Sequence, residues 1–357
     1  MKPLATAGTT DDMKIVRRLP RRIVLLVVAG LLAASVAAVT AVIALARGTA
    51  SPIGSGVVVI DTDLAYQGNA AAGTGMVLTS SGEVLTNNHV ISGATSIKVI
   101  VPTTNHSYKA RVVGYDRTAD VALLQLQGAS NLKTVSTTSA KLSIGATVRA
   151  LGNAGGNGSI TTATGTVTGL GKSITASDDT GGSEQLTGLI ETNAGVQPGD
   201  SGGPLVNSKG QVVGMDTAAS SRFGIQGISA TDAYAIPIAK ALTIAHAISS
   251  GKASSTVHIG ATAFLGIEVE SNTPGFGGAS ASGALIAGVV TGGPAASAGL
   301  AAGDVITAIS GHSVSSPAAV SALVLTKKPG AKITVAYVDA SGASHSTSVT
   351  LGSGPPQ

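Results

Sequence analysis

The sequence contains no cysteine and no tryptophan, and only five Tyr and three Phe among its 357 residues. The absence of cysteine excludes a disulfide framework, a catalytic thiol, and zinc or iron–sulfur sites with thiolate ligands. From the residues present we predict neither a metal site nor a cofactor. Glycine is abundant instead, since its 48 positions are close to double the average share of about 7%. These glycines follow no three-residue period, which excludes collagen, and they indicate many tight turns between short strands.

The net charge of +4 belongs to a short N-terminal arm. Residues 1–22 carry six Lys and Arg against two Asp, whereas residues 48–357 carry 15 basic and 16 acidic side chains. A nucleic-acid-binding domain needs a basic face, and the body of this chain has no net basic charge. We therefore predict no nucleic-acid partner.

A long apolar segment follows this basic arm. Ile23–Ala46 contains 24 uncharged residues, nearly all Val, Leu, Ile and Ala. As a helix it would extend roughly 36 Å, enough to cross a bilayer core of about 30 Å. The arginines before it predict a cytoplasmic N-terminus and an extracytoplasmic body, with the protein held in the cell membrane. The alternative is a signal peptide cleaved after Ala46, which would release a secreted protein; the length of the segment favours the uncleaved anchor.

The rest of the chain is predicted to be mainly β. Short apolar or alternating runs separated by Gly, Asn, Asp and Ser continue to about Ala235, and Ile236–Ser249 has the periodicity of a helix. A second, small α+β module follows, with a short helix predicted over Pro317–Leu325. The predicted segments are a basic arm (1–22), a membrane span (23–46), a linker (47–55), a β-rich domain (56–250), a linker (251–260), a second domain (261–352) and a disordered tail (353–357).

Three motifs in the β-rich domain carry the residues of a nucleophilic site. They are Thr-Asn-Asn-His-Val at 86–90, Thr-Ala-Asp-Val-Ala-Leu-Leu at 118–124, and Pro-Gly-Asp-Ser-Gly-Gly-Pro at 198–204. A serine hydroxyl needs a base to take its proton, and that base needs a carboxylate to fix its tautomer. His89, Asp120 and Ser201 supply these roles in the chain order His, Asp, Ser. Each motif alone is commonly structural, but their ordered occurrence together predicts catalysis.

The glycine-rich turn also predicts an oxyanion hole. The turn Gly199, Asp200, Ser201 would direct the N–H groups of Gly199 and Ser201 at a developing negative charge. Its flanking glycines permit a sharp turn and a close approach of substrate backbone.

These motifs resemble the trypsin-like serine proteases of the HtrA/DegP type. The stretch Phe264-Leu265-Gly266-Ile267 resembles the carboxylate-binding loop of a PDZ domain, and Gly299–Ile306 resembles a recurrent PDZ turn and strand. An anchor, a protease domain and a single PDZ domain resemble the layout of the membrane-anchored actinobacterial, PepA-like type. The resemblance covers about residues 55–351.

The resemblance implies a chymotrypsin-like double β-barrel, with His89 and Asp120 from one barrel and Ser201 from the other. It implies a specificity pocket at Gly195 and Val196, where a protease that cleaves after Lys or Arg would carry a carboxylate six residues before the serine. Without that countercharge we expect cleavage after small or medium aliphatic residues.

The resemblance also bears on partners and regulation. It implies that Leu265, Gly266 and Ile267 bind peptide C-termini, with the peptide added as a strand. Family trimers use aromatic residues ahead of the first barrel, where Tyr66 is available for a possible homotrimer. Asp200 stands where this branch commonly has Asn, so its turn could be ordered by substrate or partner binding.

The predicted function is a serine endopeptidase of protein quality control that acts on unfolded or specific exported proteins. Two alternatives stay open on the sequence. One is a non-catalytic PDZ scaffold or chaperone with a silent protease domain, and the other is an esterase, since the same acyl chemistry serves esters.

Overall fold

The structure is a computed structural model that describes residues 54–177, 183–219, 232–272 and 281–357. The predicted membrane span, Ile23–Ala46, lies outside these residues. Within the described ranges, no helix combines the length and the hydropathy that a membrane crossing requires.

Six antiparallel strands and a short helix form the first barrel. They are β1 (Val57–Leu64), β2 (Asn69–Val77), β3 (Glu83–Thr86), α1 (Asn88–Ile91), β4 (Ser96–Val101), β5 (His106–Asp116) and β6 (Val121–Leu126). The strand order is β5-β4-β1-β2-β3-β6, and β6 also pairs with β5, which closes the ring. β-Branched and leucine side chains such as Val58, Ile60, Val84 and Leu124 fill its interior and are fully buried.

A second closed barrel follows in the chain. Its elements are β7 (Thr147–Gly152), β8 (Thr161–Ser177), β9 (Ser183–Thr192), β10 (Pro204–Asn207), β11 (Val212–Ala219) and β12 (Ala233–Pro237), and helix α2 (Ile238–Ser249) comes next. The strand order around the ring is β10-β11-β12-β9-β8-β7. The helix buries Ile238, Ala241, Ala245 and Ile248, which follow one another at three- and four-residue steps along one face. The predicted double barrel is therefore present.

The predicted linker 251–260 is only partly a linker. Its end forms strand β13 (Val257–Ile259), which pairs antiparallel with β5 of the first barrel, Val257 opposite Asp116. The Asp116 carboxylate accepts a hydrogen bond from Thr256 Oγ1 at 2.9 Å. The chain thus returns to the first barrel before it enters the C-terminal domain, a long-range pairing that the local sequence does not encode.

The C-terminal domain is a small α+β unit. Its elements are β14 (Thr262–Phe264), β15 (Ile267–Ser271), β16 (Ala284–Val289), α3 (Pro294–Ser297), β17 (Val305–Ile309), β18 (His312–Ser313), α4 (Pro317–Leu325), β19 (Lys332–Val338), β20 (Ser344–Thr350) and β21 (Gly352–Gly354). The sheet order is β15-β16-β17-β19-β20, so β15 is an edge strand. Gly266, with a positive φ of 79°, separates β14 from β15.

The prediction of a disordered tail at residues 353–357 is wrong. Strand β21 pairs with β14, and Pro355 and Pro356 are buried. Gly354 lies so close to the Phe264 ring that a Cβ would stand 2.4 Å from it, so the glycine serves close packing. The Pro356 carbonyl then accepts a hydrogen bond from Gly93 N at 2.8 Å, in the first barrel.

Candidate active site

His89 lies on the short helix α1, which is fixed to the first barrel by a hydrogen bond at its start and by side chains packed in the barrel core. Asn87, at the N-cap, is fully buried, and its side-chain amide donates to the Asp120 carbonyl at 2.9 Å rather than capping the helix. Val90 and Ile91 on the same single turn enter the barrel core. The His89 side chain therefore faces outward, with 39% of its surface exposed.

Asp120 lies in a strained turn just before β6. Its φ of 54° is in the left-handed region, which costs an aspartate free energy, and its N–H donates to Arg117 O at 3.0 Å. The Asp116 carboxylate holds the same turn by accepting a hydrogen bond from Ala119 N at 3.1 Å. Such strain is common where a side chain must be aimed at a functional partner.

The Asp120 carboxylate receives hydrogen bonds from both barrels. His89 N donates to Oδ1 at 3.0 Å, and His89 Nδ1 lies 2.9 Å from Oδ2. From the second barrel, the buried Thr217 hydroxyl on β11 donates to the same Oδ2. With a carboxylate at Nδ1, that nitrogen carries the hydrogen of the neutral ring, so Nε2 holds the lone pair that a general base needs.

Ser201 lies in a turn that only glycine permits at two of its positions. Gly199 has φ of 99°, and a Cβ there would stand 2.1 Å from the Asn153 carbonyl oxygen. Gly202 has φ of 84°, and a Cβ there would stand 2.2 Å from the Thr74 carbonyl oxygen. The turn is therefore packed backbone against backbone, as the glycine-rich motif predicted.

Two amides of this turn have no acceptor within the described part of the chain, namely the N–H groups of Gly199 and Ser201. The N–H of Asp200 differs, because it donates to Gln197 O at 3.0 Å. The sequence grouped Asp200 with the predicted oxyanion hole, but the amide of this residue is already paired. The donors predicted for the oxyanion were the amides of Gly199 and Ser201, and two is the number that such a site commonly provides.

Strand β2 brings Ser201 to the histidine helix. Thr74 N donates to the Ser201 carbonyl at 2.9 Å. A Cβ at Gly73 would lie 2.6 Å from the Val90 side chain and 3.4 Å from the Ser201 carbonyl oxygen. The residue after His89 and the backbone of Ser201 thus pack on the same glycine, so the three residues singled out in the sequence lie in one region.

Two buried carboxyl groups lie in this region: Asp200 in the turn itself and Asp216 on β11. Asp216 is fully buried, and neither of its carboxyl oxygens has a hydrogen-bond partner among the described residues. Burial raises the pKa of Asp216 well above its usual range, and the neighbouring Asp200 raises it further. Burial also raises the pKa of Asp200, although Gln197 N donates to its Oδ2 at 2.8 Å and opposes this shift. No local motif singles out Asp216.

The two residues predicted for the specificity pocket differ in their surroundings. Gly195 is exposed, and a Cβ there would meet no atom within 4 Å. Val196 is buried among core side chains of the second barrel, including Ile190 and Val213. Gly195 therefore borders open space, whereas Val196 is held in the core; the aliphatic preference stays a prediction.

The loop Leu265-Gly266-Ile267 has the features that carboxylate binding needs. The carbonyl groups of Leu265 and Gly266 accept hydrogen bonds from Ala295 N (3.0 Å) and Val290 N (2.9 Å), which fixes the loop. The N–H groups of Leu265 and Gly266 have no acceptor in the described ranges. The edge strand β15 follows directly, with α4 packed beside it. An extended peptide could therefore pair with β15 and place its carboxylate at the loop.

Tyr66, which the resemblance connects with trimers, lies at the β1–β2 turn. Its ring stacks on Phe264 of the same chain, with centroids 5.3 Å apart and planes inclined by 15°. A homotrimer stays a prediction, which sedimentation analysis of the full chain would test.

Within the described residues, no three His, Asp or Glu side chains are grouped so that they could hold a metal ion.

Comparison with known proteins identifies the two domains. The family profile described as a trypsin-like peptidase domain matches residues 73–215, and the profile of the PDZ domain matches residues 263–343. The chain is 34% identical to the serine protease PepD of Mycobacterium tuberculosis over 83% of its own length and 63% of the relative. It is 36% identical to a probable periplasmic serine protease (do/HhoA-like) of Haemophilus influenzae, over 78% of this chain and 58% of that protein. The chain thus spans about three-fifths of these curated relatives.

A solved structure described as the HtrA-type protease AlgW with tripeptide is also similar. It shares 28% identity, covers 85% of this chain and 95% of its own, and superposes with a TM-score of 0.47.

The buried, unpartnered Asp216 predicts an unusual pH dependence of stability. In the unfolded chain this carboxyl ionises near the ordinary aspartate pKa of about 3.9, whereas the folded protein retains the proton to higher pH. The folded state binds more protons in this window, so the free energy of unfolding should fall as the pH rises through it. We expect Asp216→Asn to remove much of this fall, so that its free energy of unfolding rises relative to the wild type between pH 4 and pH 8. Urea unfolding at pH 4, 6 and 8 measures it.

The matched control is Asp339→Asn. Hydrogen bonds from the Ser341 hydroxyl, Ala343 N and His345 lower the pKa of the half-buried Asp339, so its contribution to stability has the opposite sign and is lost as the pH falls. An Asp216→Asn protein with the pH dependence of the wild type would contradict the assignment.

Proposed function

We propose that the chain is an HtrA-like serine endopeptidase acting on unfolded or specific exported proteins. Its match to a trypsin-like peptidase domain followed by a PDZ domain, and its similarity to a serine protease, support this. The observation that carries the proposal is the buried Asp120 carboxylate at 2.9 Å from His89 Nδ1. Strand β2 contacts both Val90, the residue after His89, and the Ser201 carbonyl, and in the turn of Ser201 the amides of Gly199 and Ser201 have no acceptor among the described residues.

The acylation step follows from this arrangement. Ser201 Oγ attacks the carbonyl carbon of the scissile peptide bond while His89 Nε2 takes the hydroxyl proton. Asp120 stabilises the resulting imidazolium through Nδ1–H, and the carbonyl oxygen, now an anion, accepts hydrogen bonds from the N–H groups of Gly199 and Ser201. The intermediate then collapses: the C–N bond breaks, and His89 returns its proton to the departing amine. An ester of Ser201 remains.

Deacylation repeats the chemistry with water. His89 Nε2 removes a proton from water, whose oxygen attacks the acyl carbon, and the same two amides bind the oxyanion. When the intermediate collapses, the C–Oγ bond breaks and His89 protonates Ser201. The products are two peptides and the original enzyme, and no cofactor takes part in these steps.

The PDZ domain supplies a second peptide site in this proposal. The N–H groups of Leu265 and Gly266 have no acceptor among the described residues, and Ile267 begins the edge strand β15; both features support binding of a peptide C-terminus. The site would hold a substrate or partner protein while the protease domain cleaves.

We place the catalytic domain outside the cytoplasm. The apolar segment Ile23–Ala46 after a basic arm supports a single membrane span with the N-terminus inside the cell. Relatives with periplasmic in their names support an extracytoplasmic protease domain. Mass spectrometry of the mature N-terminus tests the anchor, and a terminus just after Ala46 would instead indicate a secreted enzyme.

Ser201→Ala should abolish the activity. A fluorophosphonate probe should label the wild-type chain, and Ser201→Ala should lose both the label and peptide hydrolysis, with kcat falling on the order of 10⁶-fold. Ser208→Ala, at an exposed serine of the same barrel, serves as the matched control and should behave as the wild type. A wild-type protein that takes up no label would favour the scaffold alternative.

Peptides with Val at the cleaved position should be hydrolysed faster than matched peptides with Arg. The reason is that Gly195 offers no countercharge to a substrate cation. The ratio of kcat/KM values for a peptide pair that differs at this position alone measures the preference. Faster cleavage after Arg would refute it.

Peptides with a free, apolar C-terminus should bind the PDZ domain. Calorimetry on the full Ser201→Ala chain avoids hydrolysis, and the same peptide with an amidated C-terminus is the matched control. We expect the amide to bind at least about tenfold more weakly, since amide N–H groups recognise the carboxylate charge. Equal binding of both peptides would exclude carboxylate recognition at this loop.

A further inference from the structure

Thr74, on strand β2 of the first barrel, contacts the turn Pro198–Ser201 of the second barrel, here called the nucleophile turn. It is fully buried, between Gly73 and Gly75. Its hydroxyl donates to the Gly199 carbonyl at 2.6 Å and accepts a hydrogen bond from Asn153 N at 2.9 Å. Its own N–H donates to the Ser201 carbonyl, and its carbonyl accepts a hydrogen bond from Thr86 Oγ1 at 2.7 Å. Every polar atom of Thr74 is therefore used across the site.

The turn is fixed through its carbonyl groups. Four consecutive carbonyls each accept one hydrogen bond, with donor–acceptor distances of 2.6–2.9 Å: Pro198 from Gly155 N, Gly199 from Thr74 Oγ1, Asp200 from Gly203 N, and Ser201 from Thr74 N. A peptide unit is planar, so a fixed carbonyl also fixes the direction of the N–H group on the next residue. Pro198 has no N–H and the Asp200 amide is occupied, so the amides of this turn that lack an acceptor in the described part of the chain are those of Gly199 and Ser201.

Thr74 supplies two of these four hydrogen-bond donors, its N–H and its hydroxyl. The hydroxyl is the one side-chain donor among the four. The peptide unit between Gly199 and Asp200 lies between the two units whose N–H groups face the oxyanion. The Thr74 hydroxyl holds its carbonyl end, and Gln197 O holds its N–H end. Without the hydroxyl, the Gly199 carbonyl and Asn153 N would both be buried and unpaired, which favours reorientation of the turn.

We infer that the Thr74 hydroxyl is a positioning group for the oxyanion hole: it holds the peptide unit between Gly199 and Asp200, and so keeps the two flanking units, which carry the Gly199 and Ser201 amides, aimed in a common direction. The inference rests on the proposed function and adds to it a residue that touches no substrate. Its effect belongs to the transition state, because the two amides meet full negative charge only there.

The test compares Thr74→Val, which keeps the shape and loses the hydroxyl, with Thr74→Ser, which keeps the hydroxyl. In the full chain we expect Thr74→Val to lower kcat for peptide hydrolysis by about 10- to 100-fold, less than the 10²–10³ of losing an oxyanion donor outright. KM should change little, and a peptide aldehyde inhibitor, which forms an oxyanion, should bind more weakly by a similar factor. Thr74→Ser should stay within about threefold of the wild type.

Thr62→Val is the matched control for lost stability. Thr62 is an equally buried threonine of the first barrel, whose hydroxyl donates to Ala71 O at 3.2 Å, away from the turn. It should lose stability without loss of kcat. A folded Thr74→Val with wild-type kcat and aldehyde affinity would overturn the inference. If Thr74→Val does not fold, Thr74→Ser decides: near wild-type kcat supports the inference, and a tenfold loss in a stably folded protein overturns it.

An activity-independent readout separates this inference from the proposed function. In the ¹⁵N–¹H NMR spectrum of the full chain, the amide signals of Gly199 and Ser201 should shift or broaden in Thr74→Val and stay unchanged in Thr62→Val. Unchanged signals in Thr74→Val would overturn the inference even if the wild type hydrolyses no peptide. An inactive wild type with altered signals would instead refute the function and leave the positioning role standing.

Discussion

The buried carboxylate of Asp120 is the interaction on which the candidate site depends. It accepts two hydrogen bonds from His89 in the first barrel and one from Thr217 in the second. Removing one partner from a buried, hydrogen-bonded charge typically costs about 3–5 kcal/mol. One group therefore fixes the imidazole and also joins the barrels at the point where the chemistry would occur. The left-handed backbone of Asp120 is strain that this network offsets.

The turn that carries Ser201 also holds a defined geometry at a cost in stability, as the strained backbone of Asp120 does. Its carbonyl groups are fully paired, while the amides of Gly199 and Ser201 and the carboxyl oxygens of Asp216 lack partners among the described residues. Unpaired amides cost free energy in the resting protein, and a substrate oxyanion would supply the missing acceptor. The proposed reaction supplies no hydrogen-bond partner for the Asp216 carboxyl group. The free-energy cost of burying it is therefore not offset by a role in the proposed mechanism.

The sequence located the candidate residues better than it located their support. His89, Asp120 and Ser201 could be found because each lies in a short motif. The glycines around Ser201 also indicate a tight turn, since glycine is the residue that such a backbone favours. Thr217 and Thr74 carry no local signal, since their roles arise from contacts 97 and 125 residues away along the chain. Strand β13 and the ordered tail were missed for the same reason: Gly, Ser and Pro compositions typical of linkers also suit close, long-range packing.

The tail gives the C-terminal domain a direct connection to the histidine helix. Gln357 O accepts a hydrogen bond from Asn88 Nδ2 at 3.1 Å, and Pro356 O accepts one from Gly93 N, so both ends of α1 are held. The C-terminal domain also contacts the β1–β2 turn of the first barrel. There Phe264, next to the candidate carboxylate-binding loop, stacks on Tyr66. A peptide that moved this loop would have to disturb a ring stack of about 0.5–1.5 kcal/mol. The second domain is thus part of the framework that positions His89, and its removal would alter the first barrel as well as the peptide site.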